Sequence, residues 1–352
     1  MKPIKVAIVG YGGMGGWHAD RIREMDKFEL AGVWDIDPER LAAARECSIS
    51  AYGSFAEVLA DESVELVVVA TWNDVHKPLC IEAMRAGKNV ISEKPVAMSL
   101  QELDEMIAVS KETGKLFTVH QNRRWDEDFL TMRNIADKNL LGRLFRIESR
   151  VQGSRGIPGD WRREKVHGGG MVLDWGVHLL DQALTMNDDV KLKSVWAQIT
   201  QITNDECDDG FYSELRFENG LSYSVEVTTN NFISLPRWYI LGENGSAVIE
   251  DWDLNGKMTL VHNWDKIDAV PIKAGMGITK TMAPRTDETI HDAPLEKVRD
   301  AGTAYYDNIY DVLRTGAPQC VTHRQMRRCL KLIEAIFRSA QTNTVVAFDE
   351  DC

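Results

Sequence analysis

The sequence lacks an apolar run that approaches the roughly 20 residues of a membrane-spanning helix. It also lacks a C-x-x-C pair, because its six cysteines are scattered through 352 residues. A chain of this length does not need disulfides to stabilise its core, so reduced thiols in a cytoplasmic protein are expected. The N-terminus passes directly into a predicted strand, and we therefore expect no cleaved signal peptide.

Positive charge is also scarce. The formal net charge is −13 at pH 7, with 41 basic and 54 acidic residues. Nucleic acids and anionic membranes bind basic surfaces, so neither is expected as a partner. The hydrophobic content of 44% is typical of a globular enzyme. The length predicts two domains, and we place their boundary after residue 121, giving domains at 1–121 and 122–352.

The N-terminal stretch that ends at Gly15 combines a short apolar run with closely spaced glycines. Residues 4–9, Ile-Lys-Val-Ala-Ile-Val, predict a strand, and the G-x-G-x-x-G spacing follows it. Such glycines allow a tight turn, a close approach of pyrophosphate and helix-on-strand packing. The predicted dinucleotide contacts from this turn are Gly10, Gly12, Gly13, Met14 and Gly15.

Asp35 follows a second apolar run, residues 28–34, and lies 20 residues after Gly15. An acidic residue at this spacing binds the adenosine ribose hydroxyls and favours NAD, because its charge repels the 2′-phosphate of NADP. Asp35 is also a good turn or helix-capping residue, which is the alternative interpretation. Arg40 lies just downstream and could accept a 2′-phosphate, so NADP stays open.

Five apolar segments centred on Val6, Leu30, Val67, Val90 and Phe117 alternate with helical patterns. This rhythm predicts a doubly wound parallel sheet in an α/β domain. Ligands of such sheets bind at the carboxyl ends of the strands. The segments there, 71–76 and 93–95, provide further candidate cofactor contacts: Thr71, Asn73, His76, Glu93 and Lys94.

The second domain is predicted to contain an antiparallel or mixed sheet with one polar face. Alternating segments at 144–151, 195–200, 211–217, 221–228 and 238–241 are typical of such strands. The dipeptide Asn219-Gly220 predicts a hairpin turn. Residues 322–339 predict a closing helix with one apolar face.

A second group of polar residues lies between those segments. Asp174 and His178 are four residues apart after three consecutive glycines, which places both on one face if the segment is helical. A carboxylate beside an imidazole would orient it and raise its pKa, as suits a proton acceptor. An i,i+4 helix pair without a catalytic role is equally consistent with these residues. A metal site is a poorer interpretation, because no second histidine stands at ligand spacing.

These motifs together resemble the glucose-fructose oxidoreductase / inositol dehydrogenase / MocA family. The resemblance covers nearly the whole chain through the glycine fingerprint, residues 93–95 (Glu-Lys-Pro), residues 122–124 (Asn-Arg-Arg), and 168–181 with its glycines, Asp174, His178 and Asp181. It implies an N-terminal Rossmann domain and a C-terminal α/β domain with a large open, mainly antiparallel sheet. It also implies a nicotinamide cofactor and reversible oxidation of a sugar or cyclitol hydroxyl.

The resemblance also assigns roles to residues. Lys94 takes the place of the family's lysine near the nicotinamide, His178 matches its proton acceptor, and Asp174 matches its neighbouring substrate-binding acid. His76 corresponds to a histidine near the cofactor. The expected substrate contacts are Lys94, Arg124, Trp161, Arg162, His167, Asp174 and His178.

The expected reaction is hydride transfer between NAD(P) and a secondary alcohol of a sugar, glycoside or cyclitol. Three alternatives are an NAD-dependent glycosidase that acts through a transient 3-keto sugar and β-elimination, a non-catalytic nucleotide-sensing module, and a reductase of imines or biliverdin-like substrates. The expected partners are a small-molecule substrate and further copies of the chain, in a homodimer or homotetramer.

Overall fold

In a computed structural model of the chain, the described residues are 2–265, 270–300 and 302–350. The N-terminal region contains a five-stranded parallel sheet of order β2-β1-β3-β4-β5. Its strands are β1 (Ile4–Val9), β2 (Phe28–Trp34), β3 (Leu66–Val69), β4 (Asn89–Ser92) and β5 (Phe117–Val119). All five predicted strands and the Rossmann fold class are confirmed.

Continuous burial explains why these strands could be predicted. Every residue of β3 is fully buried, as expected for a parallel strand covered on both faces. The helices that alternate with the strands are α1 (Gly13–Arg23), α2 (Pro38–Glu46), α3 (Phe55–Ala60), α4 (His76–Arg85) and α5 (Leu100–Thr113). The strand order reverses between β1 and β3, which opens a ligand crevice at their carboxyl ends.

The second sheet has nine strands in the order β15-β12-β11-β10-β6-β9-β8-β7-β16. Its pairs are antiparallel except for β6 and β9, which run parallel. The strands are β6 (Leu144–Gln152), β7 (Leu192–Thr200), β8 (Gly210–Phe217), β9 (Ser222–Thr228), β10 (Trp238–Gly242), β11 (Gly245–Ile249), β12 (Gly256–Val261), β15 (Ile290–Ala293) and β16 (Val346–Ala347). A separate hairpin joins β13 (Ile272–Ala274) to β14 (Gly277–Thr279).

The large, mainly antiparallel sheet and the hairpin turn at Gly220 are confirmed. The helices of this part of the chain are α6 (Glu127–Asp137), α7 (Val177–Met186), α8 (Ala304–Thr315) and α9 (His323–Thr342). The predicted closing helix is α9, which begins at Thr322 with a reciprocal capping box to Gln325. It packs on β7, where Ala197 N donates to Ser339 Oγ at 2.9 Å.

Helix α8 returns to the N-terminal sheet rather than staying with the second one. Lys27 Nζ lies 2.7 Å from Asp307 Oδ1, and Arg314 pairs with Glu65 at 2.8 Å. The domain ranges 1–121 and 122–352 remain a prediction, with α8 as a segment of the second range that packs on the first.

The described cysteines Cys47, Cys80, Cys207, Cys320 and Cys329 are free thiols, and Cys352 lies outside the described residues. Within the described ranges, no helix has the length and apolarity needed to cross a bilayer.

Candidate active site

The glycine turn after β1 has two positions at which no side chain fits. Gly10 has φ +92°, and a Cβ atom there would lie 2.4 Å from Ala70 O. A Cβ atom on Gly15 would lie 1.9 Å from Gly10 O, so this glycine permits the close packing of α1 on the turn. Gly13, in contrast, faces open space. The first N–H groups of α1, which have no partner within the helix, therefore border a space that suits a pyrophosphate.

Asp35 lies beside this turn at the end of β2. Its carboxylate accepts hydrogen bonds from Tyr11 N at 2.6 Å and Asp37 N at 2.9 Å. The turn and the predicted ribose-binding acid are thus directly linked. Arg40 Nη1 lies 3.4 Å from Tyr11 O, so a cation also borders the turn. The turn role given as the alternative for Asp35 is present, since Asp35 accepts from the backbone N–H two residues on, whereas the helix-capping role belongs to Asp37, which accepts from Glu39 N at the start of α2.

Thr71 and His76 connect the glycine turn to Lys94. Thr71 Cγ2 lies 3.0 Å from the point that a Cβ atom on Gly10 would occupy, so the two residues are in close contact. The fully buried His76 places Nε2 3.2 Å from Thr71 O and Nδ1 3.0 Å from Pro95 O. Burial lowers the pKa of His76, and the neutral imidazole has one N–H, so it donates to one of these two carbonyl oxygens. The buried ring of His76 thus lies between the two loops and donates one hydrogen bond to their backbone.

Asn73, in the loop after β3, contacts the three-glycine segment at residues 168–170. Its Nδ2 donates to Gly168 O at 2.9 Å. Gly168 has φ +75°, and a Cβ there would lie 2.8 Å from Asn73 Nδ2. The glycine thus allows the second domain's loop to approach the strand ends of the first.

Glu93 is the centre of a buried hydrogen-bond network beneath Lys94. Its Oε1 lies 2.9 Å from His18 Nε2 and 2.7 Å from His120 Nδ1, and its Oε2 accepts from Lys94 N at 3.0 Å. Burial alone would raise the pKa of Glu93, but the two imidazoles outweigh it and hold that pKa well below its usual range. The carboxylate is therefore ionised and holds the backbone of Lys94.

The tautomer of His18 follows from its partners. Burial and Glu93 hold the pKa of Tyr306 well above its usual value, so its hydroxyl stays protonated and donates to His18 Nδ1 at 2.6 Å. Burial also lowers the pKa of His18, which is neutral and donates through Nε2 to Glu93. Helix α8 thereby takes part in positioning the Glu93-Lys94 turn.

His18, Glu93 and His120 are also the one group among the described residues whose ligand atoms converge closely enough to consider a metal. Both imidazole nitrogens, however, meet the same carboxylate oxygen at hydrogen-bond distances. We therefore interpret the group as a hydrogen-bond network.

Lys94 meets Asp174 across the cleft between the sheets. Its Nζ donates to Asp174 Oδ1 at 2.9 Å and to Asp174 O at 3.0 Å. Arg162 Nε donates to the other carboxylate oxygen at 3.1 Å. Burial alone would raise the pKa of Asp174, but the two cations outweigh it and lower that pKa. Three of the predicted site residues thus form one ion-pair chain.

The predicted relation between Asp174 and His178 is wrong in two respects. Residues 172–176 form a π-helical turn before α7, and the Asp174 carboxylate faces Lys94 and Arg162. Within the described residues no hydrogen bond joins Asp174 to His178. The expected rise in the imidazole pKa is also contradicted, because burial, Lys94 and Arg123 hold the pKa of His178 well below its usual value.

His178 is consequently a neutral base in a polar cleft. Its side chain is 5% exposed, and its Nδ1 is buried without a hydrogen-bond partner among the described residues. Such an unpaired nitrogen is costly in a folded protein unless a ligand supplies the partner. His178 follows Asp174, the ion-pair partner of Lys94, by four residues, and the Lys94 charge is one cause of its lowered pKa.

His167 contacts the loop that follows β3, and Trp161 contacts Arg162. His167 Nδ1 lies 3.0 Å from Asp74 Oδ1, and its ring centroid is 4.1 Å from that of Trp72. The guanidinium carbon of Arg162 lies 4.7 Å from the ring centroid of Trp161. These contacts place Trp161 and Arg162 next to Asp174.

Arg124 is placed differently from the other predicted substrate contacts. Its Nε and Nη2 each donate to Asp181 at 2.7 Å, and its Nη1 donates to Cys320 O and Gln325 Oε1. The side chain is 6% exposed. A buried bidentate ion pair therefore engages Arg124, and this placement speaks against the expected contact with a sugar.

The sequence interpretation missed His18, His120 and Tyr306, which complete the network around Glu93. His18 had one sequence signal, because it lies on the buried face of α1 with Gly15, Ala19 and Ile22. A polar residue at an apolar helix position needs a buried partner. Tyr306 had none, since it is 288 positions from His18.

The fold and the glycine turn define a NAD-binding Rossmann protein. Residues 4–121 match a family model described as an oxidoreductase family with a NAD-binding Rossmann fold. Residues 129–248 match the model of the GFO/IDH/MocA C-terminal domain. The chain belongs to this family of oxidoreductases, which confirms the resemblance inferred from the motifs.

Individual relatives cover most of the chain. A solved NAD-binding protein from Listeria innocua superposes with a TM-score of 0.95 and 46% identity over 99% of this chain and 100% of its own. The scyllo-inositol 2-dehydrogenase (NADP(+)) IolW of Bacillus subtilis is 26% identical over 98% of this chain and 96% of its own length. The 1,5-anhydro-D-fructose reductase of Ensifer adhaerens is 30% identical over 62% of this chain and 68% of its own length.

Proposed function

We propose that this NAD-binding oxidoreductase transfers a hydride between the nicotinamide and a secondary alcohol of a sugar, glycoside or cyclitol. The observation that carries the proposal is the ion pair of Lys94 with Asp174, four residues before the buried His178, at the end of a contact chain that begins at the glycine turn. That chain runs from Gly10 through Thr71 and His76 to Pro95, next to Lys94. The names of the inositol dehydrogenase and anhydrofructose reductase relatives support a polyol substrate.

In this proposal Lys94 binds the oxygen of the reacting carbinol. The Nζ atom is already oriented by Asp174, and the Lys94 side chain is 14% exposed, so its charge acts in a site of low dielectric. An ammonium that faces a developing alkoxide stabilises the transition state more than the neutral alcohol. Asp174 keeps the lysine in place and accepts hydrogen bonds from substrate hydroxyls.

His178 removes the hydroxyl proton during oxidation. The neutral imidazole is competent to accept a proton because Lys94 and burial disfavour its charged form. The bound nicotinamide supplies the hydride acceptor at its ring. The protein's part is to bind the alcohol, orient it and move its proton.

The cofactor contacts in the proposal are Gly10, Gly12, Gly13, Met14, Gly15, Asp35, Thr71, Asn73, His76, Glu93 and Lys94, with His76 and Glu93 acting through the loops that they hold. Asp35 favours NAD, whereas Arg40 keeps NADP open. The substrate contacts are Lys94, Trp161, Arg162, His167, Asp174 and His178. Arg124 supports the second domain through Asp181.

We further propose a cytoplasmic homodimer or homotetramer, with a small molecule as its substrate. The free thiols of the described cysteines support a reducing compartment. Self-association is supported by the open nine-stranded sheet, where the large apolar side chain of Phe145 is 41% exposed.

A substrate screen tests the function. Monosaccharides, their aryl glycosides and inositols are incubated with NAD and, separately, with NADP, while reduced cofactor and released phenol are measured in parallel. Accumulation of reduced cofactor in proportion to substrate is expected. Release of phenol without reduced cofactor would instead indicate the glycosidase alternative. Tight NAD binding with neither product across the screen would favour the nucleotide-sensing alternative.

A further inference from the structure

Two tryptophans follow His178 through successive ring contacts. The Trp175 ring centroid lies 6.2 Å from that of His178, at an interplanar angle of 70°. The Trp252 ring centroid lies 6.0 Å from that of Trp175. The Trp252 indole is therefore two ring-to-ring contacts from the imidazole, in the turn between β11 and β12.

Arg123 lies across both indoles. Its guanidinium carbon is 4.1 Å from the centroid of Trp175 and 6.0 Å from that of Trp252. Its Nη1 donates to Asp126 Oδ2 at 2.8 Å. The other two guanidinium nitrogens of Arg123 have no hydrogen-bond partner within residues 2–265, 270–300 and 302–350. Donors of a partly exposed side chain thus stand beside a carboxylate acceptor.

The guanidinium of Arg237 also contacts the indole of Trp252. Arg237 is 4% exposed, and its guanidinium carbon lies 4.9 Å from the ring centroid of Trp252. It pairs with the buried Asp128 at 3.0 Å and donates to Ser149 Oγ at 2.8 Å. Its Nη2 is buried without a partner among the described residues. A fixed, buried cation therefore holds the indole, so the position of Trp252 is built into the domain.

Packing does not account for Trp252, whose side chain is 54% exposed. An indole held over a buried cation with half its surface in water is an arrangement that a ligand completes. The local charges also balance, since Arg123 pairs with Asp126 and Arg237 pairs with Asp128. A neutral ligand suits this surface better than a phosphate or a carboxylate.

We propose that Arg123, Asp126, Trp175 and Trp252, here named the indole platform, bind a second, non-reacting sugar ring of the substrate. The proposal rests on the proposed function and specifies its substrate as a glycoside or disaccharide. The apolar C–H face of a pyranose stacks on the indoles, while Arg123 and Asp126 supply a donor and an acceptor for adjacent hydroxyls. The first ring then places its alcohol at Lys94 and His178.

The test compares Trp252→Ala with Trp264→Ala. Trp264 is a matched control because it is also 54% exposed and has an arginine, Arg285, stacked at 4.7 Å. The probes are maltose, cellobiose and lactose beside glucose, galactose and myo-inositol, with NAD. Wild type should prefer a two-ring compound by about tenfold or more in kcat/KM, since one well-formed ring contact changes affinity by about that factor.

Trp252→Ala should lower kcat/KM for the two-ring compound about tenfold more than for the one-ring compound, and mainly through KM. Trp264→Ala should change neither value. If Trp252→Ala lowers kcat/KM equally for the two-ring and one-ring compounds, or does not lower it at all, the proposed sugar binding by the indole platform would be overturned. A wild-type enzyme that oxidises one-ring compounds and shows no two-ring preference would also overturn it.

A binding measurement separates this inference from the proposed function. Saturation-transfer NMR is recorded for each disaccharide on the enzyme loaded with NADH, which excludes oxidation. Binding that Trp252→Ala abolishes, in an enzyme that oxidises none of the probes, would support the platform and contradict the dehydrogenase. Absence of binding for all three disaccharides would overturn the platform, even if one-ring compounds are oxidised.

Discussion

The two walls of the cleft are built by different means. The nucleotide wall is mostly backbone, and its shape depends on glycines such as Gly10 and Gly15, where a Cβ would collide with a carbonyl oxygen. The substrate wall is made of interlocked charged side chains, with Lys94 and Arg162 sharing the carboxylate of Asp174. The glycines of the nucleotide wall cannot be replaced without a steric clash. The side chains of the substrate wall can be replaced while the fold is kept, but their charges and hydrogen bonds are then lost.

This difference predicts that substitutions on the substrate wall will separate catalysis from cofactor binding. Substitutions beside the glycine turn should alter cofactor choice while leaving the chemistry of bound substrate nearly intact.

Replacement of Lys94 is expected to have the largest effect. Lys94→Ala should lower kcat/KM about a thousandfold, because loss of a fixed donor to a developing oxyanion costs about this factor. NAD affinity, measured by fluorescence titration, should stay within about threefold of wild type. Lys77→Ala is the control, since Lys77 forms a surface ion pair with Glu105. A folded Lys94→Ala enzyme with an undiminished rate would remove Lys94 from the mechanism.

His178 should show an unusual pH dependence. Its pKa lies well below 6.5 in the folded protein, so the imidazole remains an acceptor as the pH falls through 6.5. The acid limb of kcat/KM should therefore lie below the pH expected for an ordinary histidine, and His178→Asn should lower kcat/KM about a hundredfold.

Arg123→Met supplies the check on this assignment. Arg123 is one of the charges that lower the pKa of His178, so its loss should raise that pKa. The acid limb of the profile should then move to higher pH. A limb that stays in place, or moves to lower pH, would contradict His178 as the group that titrates.

The walls also differ in how far the sequence could predict them. The nucleotide wall follows from local spacing, since the glycines, Asp35 and the continuously buried strands lie within short segments. The ion pair of Lys94 and Asp174 joins residues 80 positions apart, and only the family resemblance suggested their proximity. The π-helical turn at 172–176 has no recognised sequence signal, so the helix-face argument for Asp174 and His178 failed there.

The missed strands have a similar explanation. Strands β12 and β15 are mostly half-buried or exposed, and their alternation is too weak to distinguish from loops. Arg124 differs from these strands because the family resemblance assigned it a role, a contact with substrate, that its buried placement does not support. Its partner Asp181 belongs to another of the family's motifs, yet nothing in the sequence indicated that the two would pair.

Asp208 offers a test of how the substrate wall is held together. It accepts from Val172 N at 2.8 Å at the start of the π-helical turn, and burial raises its pKa to about 6. Since the folded pKa exceeds the unfolded value, folding stability falls as pH rises from about 4 to 6. Asp208→Asn should remove this fall. The free energy of unfolding of the variant, relative to that of wild type, should therefore increase by about 2 kcal/mol as the pH rises from 4.5 to 7.5.

Urea unfolding at several pH values measures this change, and Asp209→Asn is the matched control. Hydrogen bonds from Thr200, Ile202 and Thr203 outweigh burial and lower the pKa of Asp209. Its replacement should therefore lose stability above about pH 4, the opposite sign. If both variants respond to pH alike, the raised pKa of Asp208 is contradicted.

The smallest effect is expected on the nucleotide wall, at Asp35. Asp35→Asn keeps an oxygen that can accept from Tyr11 N but removes the charge that repels a 2′-phosphate. NAD affinity should fall about tenfold, corresponding to about 1.4 kcal/mol, while NADP affinity rises. Arg40→Ala, made in the Asp35→Asn background, should reverse the gain for NADP, because Arg40 borders the turn. Isothermal titration with both cofactors provides the measurement, and kcat with saturating NAD should stay close to wild type. A collapse of kcat in Asp35→Asn would show that the two walls are not separable.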